Sequence, residues 1–181
     1  MRVTVVRRVP SRDLRPPEVA ALRALFDAAW ADEGGFTEDD WAHAWGGVHF
    51  LVEEGGVIVS HASVVERELH TGGHDLSTGY VEAVATSPGR QRGGYGTAVM
   101  REAGEYIDQT FQLGALDTGR HAFYERLGWV RWKGPTAVRT AQGLVRTPEE
   151  DGNVLVRLTS MSPQLDLSAP ISCDWRPGDV W

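Results

Sequence analysis

The sequence predicts a mixed α/β (α+β) fold: a central, mostly antiparallel sheet flanked by helices, with one parallel crossover. Three observations lead there. Residues 16–30 carry apolar side chains at helical spacing. Residues 48–86 read as successive strands separated by turns. Residues 79–116 then run strand, glycine-rich loop, helix, strand. The chain has 181 residues, which fits a single domain over 1–181 with a tail at 160–181.

The elements follow in order. Arg2–Arg8 has Val3, Val5 and Val6 among basic residues and reads as an edge strand. Pro16-Pro17-Glu18 suits a helix start, because proline is tolerated in the first turn and acid favours the N-terminal dipole. Val19, Leu22, Leu25, Phe26, Ala29 and Trp30 give that helix one buried face, and Glu33-Gly34-Gly35 breaks it. Thr37 with Asp40 forms an N-cap pair for a second short helix containing Trp41 and Trp45. Strands are expected at 48–52, 56–65, 68–71 and 79–86, a helix at 93–108, a strand at 111–116, and a short helix at 120–126. Final strands are expected at 129–132 and 153–158.

Composition excludes several classes. The 25 acidic residues exceed the 18 Lys and Arg, for a net charge of −7. An acidic chain is a poor non-specific ligand for nucleic acid or for an anionic membrane. No apolar run approaches the roughly 20 residues of a membrane span. Met1–Pro10 lacks the apolar core of a secretory signal. Cys173 is the only cysteine, so no internal disulfide forms and a reducing, cytoplasmic setting is expected. The acid excess suits a cationic ligand, and it suits plain solubility equally well.

The most informative segment joins Tyr80-Val81-Glu82-Ala83-Val84-Ala85-Thr86 to Ser87-Pro88-Gly89-Arg90-Gln91-Arg92-Gly93-Gly94-Tyr95-Gly96-Thr97. Glycines let the backbone approach a ligand, and the first N–H groups of the following helix point outward unpaired. With Arg90 or Arg92 they would hold a pyrophosphate. A plain strand-to-helix turn uses the same residues. Neither the Gly-Lys-Ser/Thr of a P-loop nor a Rossmann Gly-x-Gly-x-x-Gly is present.

Gln91-x-x-Gly94-x-Gly96 resembles the pyrophosphate loop of the GCN5-related N-acetyltransferases (GNAT), and Phe123-Tyr124-Glu125-Arg126-Leu127-Gly128-Trp129 resembles that superfamily's second signature. Phe36-Thr37-Glu38-Asp39-Asp40-Trp41, Gly46-Gly47-Val48-His49, Gly79-Tyr80-Val81-Glu82, Gln112-Leu113-Gly114-Ala115-Leu116 and Cys173–Trp181 are similar to the aminoglycoside 2′-N-acetyltransferases. The resemblance implies the GNAT fold, acetyl-CoA as co-substrate, no metal, a cationic aminoglycoside as acceptor, antibiotic resistance as outcome, and a homodimer. Contacts to acetyl-CoA would come from Val84, Ala85, Thr86, Gln91, Arg92, Gly93, Gly94, Tyr95, Gly96 and Thr97.

Acetyl transfer to an amine needs a neutral amine, a polarised thioester carbonyl, a proton for the departing thiolate, and alignment. Glu82 is the candidate base; by strand alternation it shares a face with Tyr80 and Val84. A carboxylate inside an apolar strand is costly to bury without partners, so pairing with an arginine is the competing role. Tyr124 is the candidate acid, since a phenol can protonate a thiolate; packing on the core is its competing role. The acceptor pocket is expected to be acidic, drawing on Asp40, Glu82, Ala83, Asp117, Glu150, Asp151, Asp179 and the Trp181 carboxylate.

Three departures from the family pattern fall in the expected substrate pocket: Gly35 where an acid is common, Asp117 where a small hydroxyl residue is common, and Ala83 where a glycine is common. They point to an atypical aminoglycoside such as kasugamycin. An acetyltransferase acting on a polyamine or other small cationic amine is the alternative.

Overall fold

The computed structural model of the chain describes residues 4–181. Strands are β1 (Val6–Pro10), β2 (Val48–Glu54), β3 (Val57–Thr71), β4 (His74–Thr86), β5 (Leu113–Asp117), β6 (Val130–Arg131), β7 (Thr136–Thr140), β8 (Gly143–Arg146), β9 (Val154–Leu158) and β10 (Ile171–Asp174). Helices are α1 (Pro16–Ala29), α2 (Glu38–Ala44), α3 (Tyr95–Thr110) and α4 (His121–Glu125). Backbone contacts divide the chain into two compact units. The first holds the residues up to Val65 and Val81–Ala103; the second holds Glu66–Tyr80 and Gly104–Trp181. Strands β3 and β4 and helix α3 run through both. Among the described residues, no helix is long and apolar enough to cross a membrane.

In the first unit β1 pairs antiparallel with β2, and β2 with β3. Helix α1 presents Leu22, Leu25 and Phe26 to a core with Val9, Leu51, Ile58 and Ala85, as its periodicity requires. Phe36 and Trp41 close over Phe26, with ring centroids 4.6 and 5.7 Å away. Thr37 caps α2: its hydroxyl accepts from Asp40 N at 3.2 Å, and Asp40 accepts from Thr37 N at 2.8 Å. The first strand starts later than the expected 2–8; Arg2 and Val3 lie outside the described residues.

In the second unit the strand order is β6-β9-β5-β4-β3-β10-β7-β8. Two pairs are parallel, β4 with β5 and β7 with β10, so the expectation of one parallel crossover falls one short. The expected strands at 56–65 and 68–71 are a single 15-residue strand, β3. Its polar stretch Glu66-Arg67-Glu68 looks like a break in sequence. Arg67 keeps the strand going by stacking over the Tyr80 ring at 4.6 Å and donating to the Val180 carbonyl at 2.8 Å.

The tail is the largest correction. Residues 171–174 form an interior strand, antiparallel to β3 and parallel to β7. The β7–β8 hairpin, unassigned from sequence, supplies that parallel neighbour. Residues 133–135 pass tightly against 167–170 to bring this about. Lys133 N and Gly134 N both donate to the Leu167 carbonyl, and Trp132 Nε1 donates to the Ala169 carbonyl at 2.8 Å. A Cβ on Gly134 would lie 1.9 Å from that Ala169 oxygen, so only glycine fits. Gly134→Ala is expected to cost about 2 kcal/mol or more, seen as a melting temperature about 5 °C or more below the parent. An unchanged melt would contradict this packing.

Candidate active site

The parallel β4–β5 ladder has three pairs and ends at Tyr80↔Ala115, while β4 continues to Thr86 and β5 to Asp117. Beyond Tyr80 the strand changes character. Ala83 has φ +50°, a left-handed conformation that a residue with a Cβ adopts at a cost of order 1 kcal/mol. This reversal interrupts the pleat, so the strict alternation expected from Tyr80 through Glu82 to Val84 does not hold. Glu82, Ala83 and Val84 are all half-buried, and Ala85 is buried.

Side chains of β3 take up the carbonyls in this stretch. Ser63 Oγ donates to Glu82 O at 3.2 Å, His61 Nδ1 to Ala83 O at 2.7 Å, and Ser60 Oγ to Ala85 O at 3.0 Å. Ser60 Oγ also pairs with Thr86 Oγ1 at 2.9 Å. All three of these β3 residues are fully buried. Sequence reasoning missed them. The available signal was Ser60-His61-Ala62-Ser63, a polar cluster inside an apolar strand.

The loop after β4 is tightly turned. Pro88–Arg90 forms one 3-10 turn, Arg92 has φ +64° and Gly94 φ +83°. A Cβ on Gly93 would lie 2.8 Å from the Tyr95 ring and 3.2 Å from Arg90 O, so the loop is as tight as its glycines allow. Helix α3 starts at Tyr95, two residues later than expected. The first bond back to the loop runs from Ala98 N to Gly94 O at 3.0 Å, leaving the N–H groups of Tyr95, Gly96 and Thr97 without helical acceptors. Arg90 is held by Glu54 at 3.0 Å. Arg92 is exposed, as is Gln91. Backbone donors at a helix N-terminus beside a free guanidinium fit the pyrophosphate of a nucleotide co-substrate.

In the second unit Tyr124 lies on α4, 7% exposed, with its ring edge-on to Phe123 and Trp129. Burial pushes its phenol up to about 12, so it keeps its proton at neutral pH. Asp117 ends β5. Its carboxyl is pushed up to about 7, first by burial and then by the negative charges of Glu150 and Asp179. Its Oδ1 is buried without a hydrogen-bond partner. Glu150 is raised too, chiefly by burial and then by Asp179 and Glu149. Three carboxyl groups from β5, a 3-10 turn and the tail therefore converge.

The other acidic candidates are engaged elsewhere. Asp151 accepts from Thr136 N at 2.8 Å and from Arg146 at 2.6 Å, and these bonds hold it below the ordinary carboxylate range. Asp40 serves the α2 cap. The tail is anchored: Trp181 is buried, its Nε1 donates to Thr147 Oγ1 at 2.9 Å, and its carbonyl oxygen accepts from Arg176 at 2.9 Å. Asp179 Oδ1 accepts from Trp181 N at 3.2 Å.

A family model described as "Acetyltransferase (GNAT) domain" matches residues 11–131. The chain belongs to the GNAT acetyltransferases. It is also 42% identical over 156 residues to an aminoglycoside 2′-N-acetyltransferase of Mycolicibacterium fortuitum, covering 83% of this chain and 80% of that one. Among solved GNAT structures, one from Brucella melitensis in complex with acetyl-CoA is similar at TM-score 0.52 and 19% identity, covering 84% of this chain and 96% of that chain. One from Kribbella flavida is similar at TM-score 0.57 and 19% identity. It covers 72% of this chain, which spans about a third (35%) of that longer one. GNAT enzymes use acetyl-CoA, and the β4 end, glycine loop and α3 N-terminus are the parts of this GNAT chain suited to it.

The raised Asp117 carboxyl has a stability consequence. A carboxyl whose folded value lies above its unfolded one favours folding when protonated, and that advantage is lost as pH rises from about 3.8 to about 7. Asp117→Asn removes the loss. The variant is expected to melt above the parent at pH 8, with the gap closing toward pH 4. A gap independent of pH would remove the Asp117 assignment.

Proposed function

We propose that this GNAT chain, as a single acetyltransferase domain over 1–181, transfers the acetyl group of acetyl-CoA to the 2′-amino group of an aminoglycoside. The observation that carries the substrate class is the buried Asp117 carboxyl, its Oδ1 without a hydrogen-bond partner, raised in the field of Glu150 and Asp179. Asp117 and Glu150 share a hydrogen bond that favours a proton on Asp117, and an arriving cation would replace that proton; an aminoglycoside brings several ammonium groups. The relative from Mycolicibacterium fortuitum supports the same class.

Acetyl-CoA supplies a thioester whose carbonyl carbon bonds to the amine nitrogen as the C–S bond breaks. Glu82 takes the proton the amine loses, directly or through water. Tyr124 holds the proton that the departing sulfur receives. The N–H groups of Val84 and Thr86 bind the acetyl carbonyl and the pantetheine arm, with Ala85 between them, and residues 91–97 hold the pyrophosphate. Asp117, Glu150 and Asp179 orient the acceptor amine, and Ala83, Asp40, Asp151 and Trp181 are the remaining candidates for contact with the acceptor. The departures at Gly35, Ala83 and Asp117 point to kasugamycin, with resistance as the biological outcome. The single cysteine fits the cytoplasm, and a homodimer follows the family. A polyamine is the second reading, favoured by the same carboxyl cluster.

Thiol release from acetyl-CoA on adding kasugamycin, gentamicin, tobramycin, kanamycin or spermidine tests this, with NMR locating the acetyl group. Kasugamycin as best acceptor, modified at its 2′-amine, is expected; turnover with spermidine alone would move the substrate to polyamines. Glu82→Gln is expected to lose most activity at low pH, where the amine is protonated; equal loss at every pH would make Glu82 structural. Tyr124→Phe is expected to lower kcat about tenfold or more, and unaltered turnover would remove the acid role.

A further inference from the structure

Behind the candidate base lies a buried chain of hydrogen bonds that the acetyl-transfer reading does not use. It runs from Gly46 N to Ser11 Oγ (2.9 Å), Ser11 Oγ to His49 Nε2 (2.8 Å), His49 Nδ1 to His61 Nε2 (2.8 Å) and His61 Nδ1 to Ala83 O (2.7 Å). Both imidazoles are almost wholly buried. Phe26 packs against the His61 ring at 4.9 Å, and Trp45 against His49 at 5.6 Å. Burial pushes His49 down to about 4 and His61 to about 3, His61 lowered further by any proton on neighbouring His49, so both rings are neutral at neutral pH.

Only one direction of donation fits. A carbonyl only accepts, so His61 carries its proton on Nδ1 and its Nε2 accepts. His49 must then donate from Nδ1 and accept at Nε2, and the single Ser11 proton goes to His49. The 3.2 Å contact of Ser11 Oγ with Gly47 O is left without that proton. A second proton on His61, at Nε2, would set two N–H groups against each other at the His49–His61 contact. One on His49, at Nε2, would instead be donated to Ser11 Oγ, whose own proton would turn to Gly47 O.

The terminus of this chain is Ala83 O, at the residue whose φ of +50° reverses the strand between Glu82 and Val84. We infer that His61, locked in one tautomer by His49 and Ser11, is a positioning residue that holds the reversed Ala83 peptide and thereby aims the Glu82 carboxylate and the Val84 N–H. This rests on Glu82 as the base and Val84 N–H as a donor to the acetyl carbonyl. The role belongs to the Nδ1–H alone: an amide of Asn length reproduces a donor at the Nδ1 position, whereas Gln reaches toward His49 and leaves Ala83 O without its partner.

The test has two parts. In the parent enzyme, nitrogen-15 NMR of the imidazoles is expected to show His61 and His49 protonated on Nδ1 only, unchanged from pH 5 to 9. A His61 protonated on Nε2 would overturn the inference. In variants matched by their melts, His61→Asn is expected to keep kcat within about threefold of the parent. His61→Gln is expected to lose about tenfold or more, with the loss deepening at low pH as for a displaced base. Equal losses in the two variants, or an undiminished His61→Gln, would also overturn it. Glu82→Gln, measured alongside, separates the two readings: if it is active while His61→Gln is not, the base assignment fails and His61 still positions Ala83 and Val84.

Discussion

Strand β4 works under two opposed demands. Its backbone must be hydrogen-bonded, because a buried carbonyl without a partner costs 1–3 kcal/mol or so. Yet the thioester contacts proposed for this strand require some of its backbone donors to stay unpaired. The chain meets both by ending the β4–β5 ladder at Tyr80↔Ala115 and reversing the backbone at Ala83. Ser60, His61 and Ser63 on β3 then take the carbonyls of residues 85, 83 and 82. Buried polar side chains, which would weaken an ordinary strand, here allow the next strand to be irregular.

Charge is unevenly distributed along the chain. The glycine loop offers backbone N–H groups and Arg92, while Arg90 is neutralised by Glu54. In the second unit Asp117, Glu150 and Asp179 gather. The overall charge of −7 alone says nothing about either site, because acids such as Glu18, Asp108 and Asp151 are paired with arginines in structural roles. Asp117 differs from the other candidates: its Oδ1 is buried without a hydrogen-bond partner, whereas Asp151 is held by Arg146 and Asp40 by the Thr37 cap.

Much of this was legible in the chain. Leu22, Leu25 and Phe26 announce α1 by spacing, Thr37 with Asp40 announces the α2 cap, and Gly94 and Gly96 announce the loop before α3. These signals are local: a period, a cap, a backbone angle. The parts that could not be read depend on distant residues. Arg67 looks like a strand breaker until Tyr80 and Val180 are placed beside it. Ile171-Ser172-Cys173-Asp174 is too short to declare itself a strand, and its partners are far away in sequence. Nothing in the spacing of Ser11, His49 and His61 suggests a chain of hydrogen bonds, since the three come from separate elements.

The placement of β10 has a consequence for how such a chain is made. Thr71 donates to the Pro170 carbonyl across 99 residues, and β10 lies between β3 and β7. While the chain is being synthesised, both neighbours already exist, each with one open edge, and the strand that joins them comes late. Until then those edges are free to pair with any other extended segment nearby. Contacts of such long range also close slowly. Completion of the sheet between β3 and β7 thus waits on a four-residue strand.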